Sequence, residues 1–276
     1  MFESLQEFLC GESMTDLDFF DCNCYLGPVN RPPLWTYPSA AQLLADMDHF
    51  GIREAAVTHT IARDYRQETG NRAVLEALEG QPRLHGCWVL KVHGDAFEPP
   101  IADQVDEMLA AGVRVVRLLP PARHPYVLAD WATRGLWGAL AERRIPVLLT
   151  ASDLAKHPDD RTAGFSAENV YTLCREHPDL PVIILRFNYT STRVTLPILE
   201  RCPNLYLEIS YFTLHRGVEL ITRLFGAERL IFGTGAPVSN PGLALALVRY
   251  ANVSDADRRA IAGENFRRLL EGVYSS

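Results

Sequence analysis

Short, continuously apolar runs alternate along this chain with longer segments of helical periodicity. The runs VRVVRLL, IPVLLT, PVIILR and RLIF lack the in–out alternation of a half-solvated strand, so they read as parallel strands buried on both faces. This pattern predicts eight strands: Leu17–Cys24, Glu54–Thr58, Leu84–Leu90, Val113–Leu118, Pro146–Leu149, Val182–Arg186, Leu205–Ile209 and Arg229–Phe232. Between them it predicts helices over Ser39–Phe50, Gln67–Leu78, Ile101–Ala111, Leu136–Arg143, Ala167–His177, Val194–Cys202 and Val218–Phe225. Two more, Gly242–Tyr250 and Ala256–Val273, follow the last strand. A capping Ser39 opens the first helix, and Gly51, Gly80 and Gly112 close the first three. His177-Pro178 and Cys202-Pro203 stop two more, because a residue before proline avoids helical backbone. The repeated β/α unit predicts an α/β fold, a (β/α)8 barrel over residues 1–276 as one domain, with extra C-terminal helices.

Length and composition agree. The chain has 276 residues, and a barrel of this kind takes about 250. At 47% hydrophobic and 22% charged residues, it can bury a large core. A net charge of −7 with scattered Lys and Arg argues against a nucleic-acid groove or an anionic membrane surface. No apolar run is long enough to span a bilayer, and the acidic N-terminus lacks the features of a signal peptide. Cys10, Cys22, Cys24, Cys87, Cys174 and Cys202 read as reduced packing thiols, which points to a cytoplasmic protein.

In a barrel, strand C-termini face the mouth where sites are built. Arg117 and Arg186 end strands four and six, Lys91 follows strand three and His59 follows strand two. Such cations suit a small anionic ligand, and arginine holds a carboxylate in two-pronged fashion. The competing expectation is internal neutralisation, with Glu208 as partner of Arg186. Candidates for proton transfer are Glu208, His59 and Tyr25, while Asp21 sits deeper. Strand periodicity predicts that Asp21, Asn23 and Tyr25 share one face and Cys22 and Cys24 the other. His93 with Asp95, and His157 with Asp159 and Asp160, read as polar turns. The Pro-rich segment GPVNRPPLWTYPS reads as a rigid rim loop packing on its neighbours or as a lid or subunit contact, and the segment Ala151–Phe165 as the other long rim loop; homodimerisation stays open. No Gly-x-Ser-x-Gly elbow is present, and Gly233-x-Gly235 matches no nucleotide-binding loop.

Four stretches resemble the amidohydrolase-related family of TIM-barrel metal hydrolases. FDCNCYLG stands where that family has Asp-x-His-x-His-x-Gly, and GVRVVRLLP is similar to its fourth strand. LIFGTGAP stands where it has Gly-Ser-Asp-x-Pro, and IAGENFRRLL is similar to its closing helix. The resemblance implies metal ligands on strands one, five, six and eight. Those positions here carry Asn23, Tyr25, Thr150, Arg186 and Gly235. Thr and Tyr are poor ligands, Arg is cationic and Gly has no side chain, so no metal or other cofactor is expected. The resulting expectation is a metal-independent hydrolase or lyase acting on a small organic carboxylate. Arg186, Arg117, Asn23, Thr150 and Lys91 would bind the substrate, and Glu208, His59 or Tyr25 would move protons. The alternative is a non-catalytic barrel used for ligand binding or assembly.

Overall fold

The computed structural model describes residues 17–28, 36–90, 99–119, 128–150, 167–187 and 189–274, with Thr150 by its backbone alone. Lys91, Cys10, His93, Asp95, the His157 cluster, the segment 151–165 and most of the Pro-rich loop lie outside the described residues.

The strands are β1 (Phe19–Leu26), β2 (Ile52–His59), β3 (Leu84–Gly86), β4 (Trp88–Val89), β5 (Val116–Leu118), β6 (Val147–Thr150), β7 (Val182–Leu185), β8 (Leu205–Glu208) and β9 (Leu230–Ile231). All pair in parallel, as β1-β2-β3 and as β4-β5-β6-β7-β8-β9. The expected third strand is broken at Cys87, whose amide still bonds Val57 O, so β3 and β4 are two halves of one barrel strand. The ring closes where Cys22 N bonds Phe232 O, Tyr25 N bonds Ala236 O and Gly235 N bonds Asn23 O. This is a TIM-barrel fold.

Helices α1 (Ala40–Phe50), α2 (Thr60–Asp64), α3 (Gln67–Leu78), α4 (Ile101–Ala110), α5 (Asp130–Thr133), α6 (Leu136–Glu142), α7 (Ala167–Glu176), α8 (Thr192–Arg201) and α9 (Gly217–Phe225) connect the strands. The Ser39 side chain accepts from Gln42 N at the start of α1, and Gly51 closes that helix at φ 71°. The short helices α2 and α5 carry too little periodicity to be foreseen.

Alternate residues of each strand enter two separate cores. Val147, Leu149, Val182 and Ile184 join helix residues such as Met108, Leu136, Leu173 and Leu199 in the layer between sheet and helices. Leu148, Ile183, Leu185, Ile231, Cys87 and Phe20 form the second core, the barrel interior. The floor of that interior is plugged by Phe266, Leu269 and Leu270 of the final helix.

The chain ends with α10 (Pro241–Arg249), α11 (Asp255–Arg259), a π-helical turn over Ala260–Glu264 and α12 (Asn265–Glu271). The expected continuous helix Ala256–Val273 is thus interrupted. The interruption fits the run IAGEN to the barrel. Ile261 O accepts from Phe232 N at 3.2 Å, and Asn265 Nδ2 donates to Ala227 O and Leu230 O, both at 2.9 Å. A Cβ on Gly263 would lie 2.2 Å from Asp18 O, so only glycine lets this turn seat against β1.

Candidate functional site at the barrel interior

Strand β1 decides what enters the barrel. Asp21 pairs with Ala55 and Cys24 with Val57, so three residues of β1 span two of β2, which is a bulge. The bulge breaks the expected alternation. Cys22 and Cys24 do not share a face: Cys22 joins the interior core and Cys24 the outer one. Past the bulge, Asn23 and Tyr25 meet the interior side chain of β5, Arg117.

Arg117 is 1% exposed. Its Nη2 donates to Asn23 Oδ1 at 2.8 Å and its Nη1 donates to the Tyr25 hydroxyl. The guanidinium carbon also lies 4.4 Å from the Tyr25 ring centroid, and Arg63 approaches the same ring at 4.9 Å. The Cys87 thiol is in hydrogen-bonding reach of Arg117, while Arg117 Nε has no oxygen or nitrogen partner. Among the described residues no carboxylate stands at ion-pair distance from this buried cation. Its partners are neutral acceptors. Arg63, by contrast, is paired with Asp64 at 2.8 and 2.9 Å.

Glu208 ends β8 and is fully buried. It accepts from Arg186 N at 2.9 Å, Ser210 N at 2.6 Å and Ser210 Oγ at 2.9 Å. Desolvation outweighs these donors and lifts its pKa to about 7, with Asp21 adding like-charge repulsion. Glu208 packs against bare backbone: a Cβ on Gly233 would lie 2.4 Å from Oε1. Asp21 binds Asn23 N at 2.8 Å, Thr234 N at 2.9 Å and the Thr234 hydroxyl, and so ties β1 to the turn after β9. Burial raises its pKa too.

The remaining candidates lie elsewhere. The Arg186 guanidinium does not pair with Glu208, which takes the backbone N–H instead. With φ at 57°, Arg186 is partly buried, and its side chain stacks 5.2 Å from the centroid of the half-exposed Tyr211 ring. The His59 Nδ1 accepts from Ile61 N at 3.2 Å and caps α2; burial lowers its pKa. Thr150 is placed only by its backbone, opposite Leu185. Asn23, Tyr25 and Arg117 therefore form one hydrogen-bonded group, with Glu208 in the same interior. His59 and Arg186 are engaged at its edge. Sequence reasoning missed Arg63, Cys87, Ser210 and Thr234. Ser210 is reached through a local bond two residues from Glu208, a spacing visible in the sequence; the others are brought in by tertiary contacts.

The residues that the sequence resemblance sets at the family's metal positions are poor donors for a divalent ion. The oxygens of Asn23 and Tyr25 already accept from a guanidinium, and an ion placed on them would face that fixed charge. Gly235 offers no donor, and a Cβ there would sit 3.2 Å from Ser210 Oγ.

Residues 29–272 match the family model described as amidohydrolase, so the chain belongs to the amidohydrolase family. Similar solved structures share the fold. An uncharacterised TIM-barrel protein from Bordetella bronchiseptica is 18% identical at a TM-score of 0.70, covering 93% of this chain and 99% of its own. A protein from Pseudomonas putida, provisionally named a 2-pyrone-4,6-dicarboxylic acid hydrolase, is 18% identical at 0.68, covering 93% and 98%. A dihydroxybenzoic acid decarboxylase from Polaromonas, with bound manganese and the inhibitor 2-nitroresorcinol, is 14% identical at 0.67, covering 92% and 97%. No curated protein matches the chain. Among the described residues no helix is long and apolar enough to cross a membrane.

Proposed function

We propose that this protein is a hydrolase or lyase for a small organic carboxylate, working without a metal ion in the barrel. The observation that carries the reading is the Arg117 guanidinium. It is buried, held by neutral acceptors, and bonded to Asn23 and Tyr25, the two side chains that the resemblance sets in place of the family's first two ligands. A buried charge with no carboxylate at ion-pair distance among the described residues is costly, and an entering carboxylate relieves that cost. Arg117 thus supplies a fixed positive field. It orients an anion and stabilises negative charge developing on it, but does not acidify water as a metal ion does. Arg186, partly buried at the rim, is a second anion contact, with Lys91 and Thr150 as further substrate-binding candidates by their place in the sequence.

Proton transfer falls to Glu208. A carboxyl titrating near neutrality exchanges protons effectively at physiological pH. When Glu208 is protonated, its O–H donates to Ser210 Oγ, and the Ser210 hydroxyl reverses its role. His59 and Tyr25 serve as supports in this scheme, since His59 caps a helix and the Tyr25 hydroxyl is engaged by Arg117. The acids in the names of similar solved structures, 2-pyrone-4,6-dicarboxylic acid and 2,6-dihydroxybenzoate, set the substrate class to try first.

The test is thermal shift and turnover with 2-pyrone-4,6-dicarboxylate and 2,6-dihydroxybenzoate, in the presence of a strong chelator. One of these carboxylates is expected to stabilise the wild type, by about 2.7 kcal/mol at a hundredfold excess over Kd. Arg186→Met and Arg117→Met should each weaken the response. Equal responses in wild type and both variants would remove the anion site. Turnover that appears only when a divalent ion is restored would remove the metal-free reading. Carboxylate binding without turnover would favour the ligand-binding alternative.

A further inference from the structure

Outside the barrel, three metal-ligating side chains meet where two helical elements touch. Asp130 is the first residue of α5, Glu176 the last of α7, and His177 follows it. Their ligand atoms all lie within 4.8 Å of one another. We propose that Asp130, Glu176 and His177 form a zinc-type divalent-cation site that clamps α5 to the end of α7.

The geometry is close to that of a bound ion before any ion is added. His177 Nε2 sits 3.0 and 3.1 Å from the two Asp130 oxygens. Zinc bonds nitrogen and carboxylate oxygen at about 2.0–2.2 Å, so two ligands at a tetrahedral angle stand about 3.4 Å apart. The pair must open by only a few tenths of an ångström to admit the ion. Glu176 supplies the third protein ligand and water the fourth. One imidazole with two carboxylates suits Zn2+ or a neighbouring first-row ion better than Ca2+ or Mg2+, which prefer all-oxygen sets.

The site is also anchored. The His177 side chain is 13% exposed. Its backbone is held twice, with its N–H donating to Leu173 O at 3.0 Å and its carbonyl accepting from Asn204 Nδ2 at 2.9 Å. The Asp130 side chain, at 50% exposure, leaves an entry path for the ion. Without a metal, His177 and Asp130 form a partly exposed hydrogen-bonded contact of small worth. With one, each carboxylate loses its repulsion from the other. His177 precedes β7, whereas Arg186 follows it, so the imidazole and the rim arginine stand at opposite ends of that strand. Metal bound here is therefore no evidence for a metal in the barrel.

The test uses full-length protein stripped with chelator and titrated with ZnCl2 by calorimetry, and separately with CoCl2 by visible absorption. One Zn2+ per chain should bind, and Co2+ should give the intense d–d bands of a low-symmetry four-coordinate site. Asp130→Asn and Glu176→Gln change exposed side chains with little change in shape, and each should lower Zn2+ affinity at least tenfold. His177→Ala should abolish the cobalt spectrum. Arg186→Met, at the barrel rim, should leave Zn2+ affinity unchanged. The proposal fails if stoichiometric binding is absent, or if Zn2+ affinity is the same in Asp130→Asn and Glu176→Gln as in wild type.

Discussion

Replacing Glu208 by Gln isolates the electrostatic cost at the heart of the candidate site. The carboxyl pKa rises from 4.5 to about 7 on burial. A gap of this size corresponds to roughly 3 kcal/mol between the ionised and protonated forms. Because the folded-state value is raised, the native protein binds more protons than the unfolded chain between those two values. Glu208 therefore costs nothing below pH 4.5, destabilises progressively as pH rises to about 7, and carries its full penalty above that. A Gln cannot ionise and carries no such pH-dependent term. It does carry a constant cost, since its NH2 faces donors from Arg186 N, Ser210 N or Ser210 Oγ where a carboxylate oxygen accepted them; roughly 1–3 kcal/mol is expected for that. Urea unfolding followed by tryptophan fluorescence, at half-unit steps from pH 4.5 to 8.5, separates the two. The stability difference, variant minus wild type, should move by about 3 kcal/mol in favour of Gln across that range, on top of the constant offset. Titrating groups that do not interact with Glu208 cancel in the difference; Asp21, whose charge repels Glu208, adds a smaller contribution of its own. Parallel curves for the two proteins would show that Glu208 does not titrate there, and its role as proton carrier would fall with it.

Two further outcomes follow from the packing. Gly233→Ala places a methyl 2.4 Å from Glu208 Oε1 and 2.7 Å from its Cγ, so it should cost about 1–3 kcal/mol in urea unfolding and displace the carboxyl; unchanged stability would mean Glu208 has room to move. Asn204→Leu removes an amide that donates to Cys174 O, His177 O and Leu180 O, leaving buried carbonyls unpaired, and should lower stability by about 2–3 kcal/mol; a loss below 0.5 kcal/mol would show that these carbonyls find other donors.

How legible the site was depended on which interaction placed each residue. Arg117 and Glu208 were singled out because each lies at or near the end of an apolar run, and a strand end in a barrel faces the mouth; β5 runs one residue past Arg117, to Leu118. The alternation rule failed on β1, because the bulge after Asp21 is not marked by glycine or proline and arises from pairing with β2. Arg186 was placed at the correct strand end, but its left-handed backbone aims the backbone N–H at Glu208, while its side chain stacks on Tyr211. His59 looked like a base beside a strand and is a helix cap, since α2 is too short to show in the hydrophobic pattern.

The order of strands and helices was settled by the chain alone, because runs apolar on both faces have nowhere stable to lie except between two buried layers. The closing run IAGEN was visible in the chain only as part of a continuous helix; its π-helical turn and its fit to β1 and β9 were decided by the folded structure. The folded molecule alone also decided the electrostatics. Whether Arg117 meets a carboxylate or neutral oxygens, and whether Glu208 is solvated or dry, depends on groups far apart in sequence. Tyr25 and Asn23 reach Arg117 across some ninety positions, and such separations leave no local pattern to read.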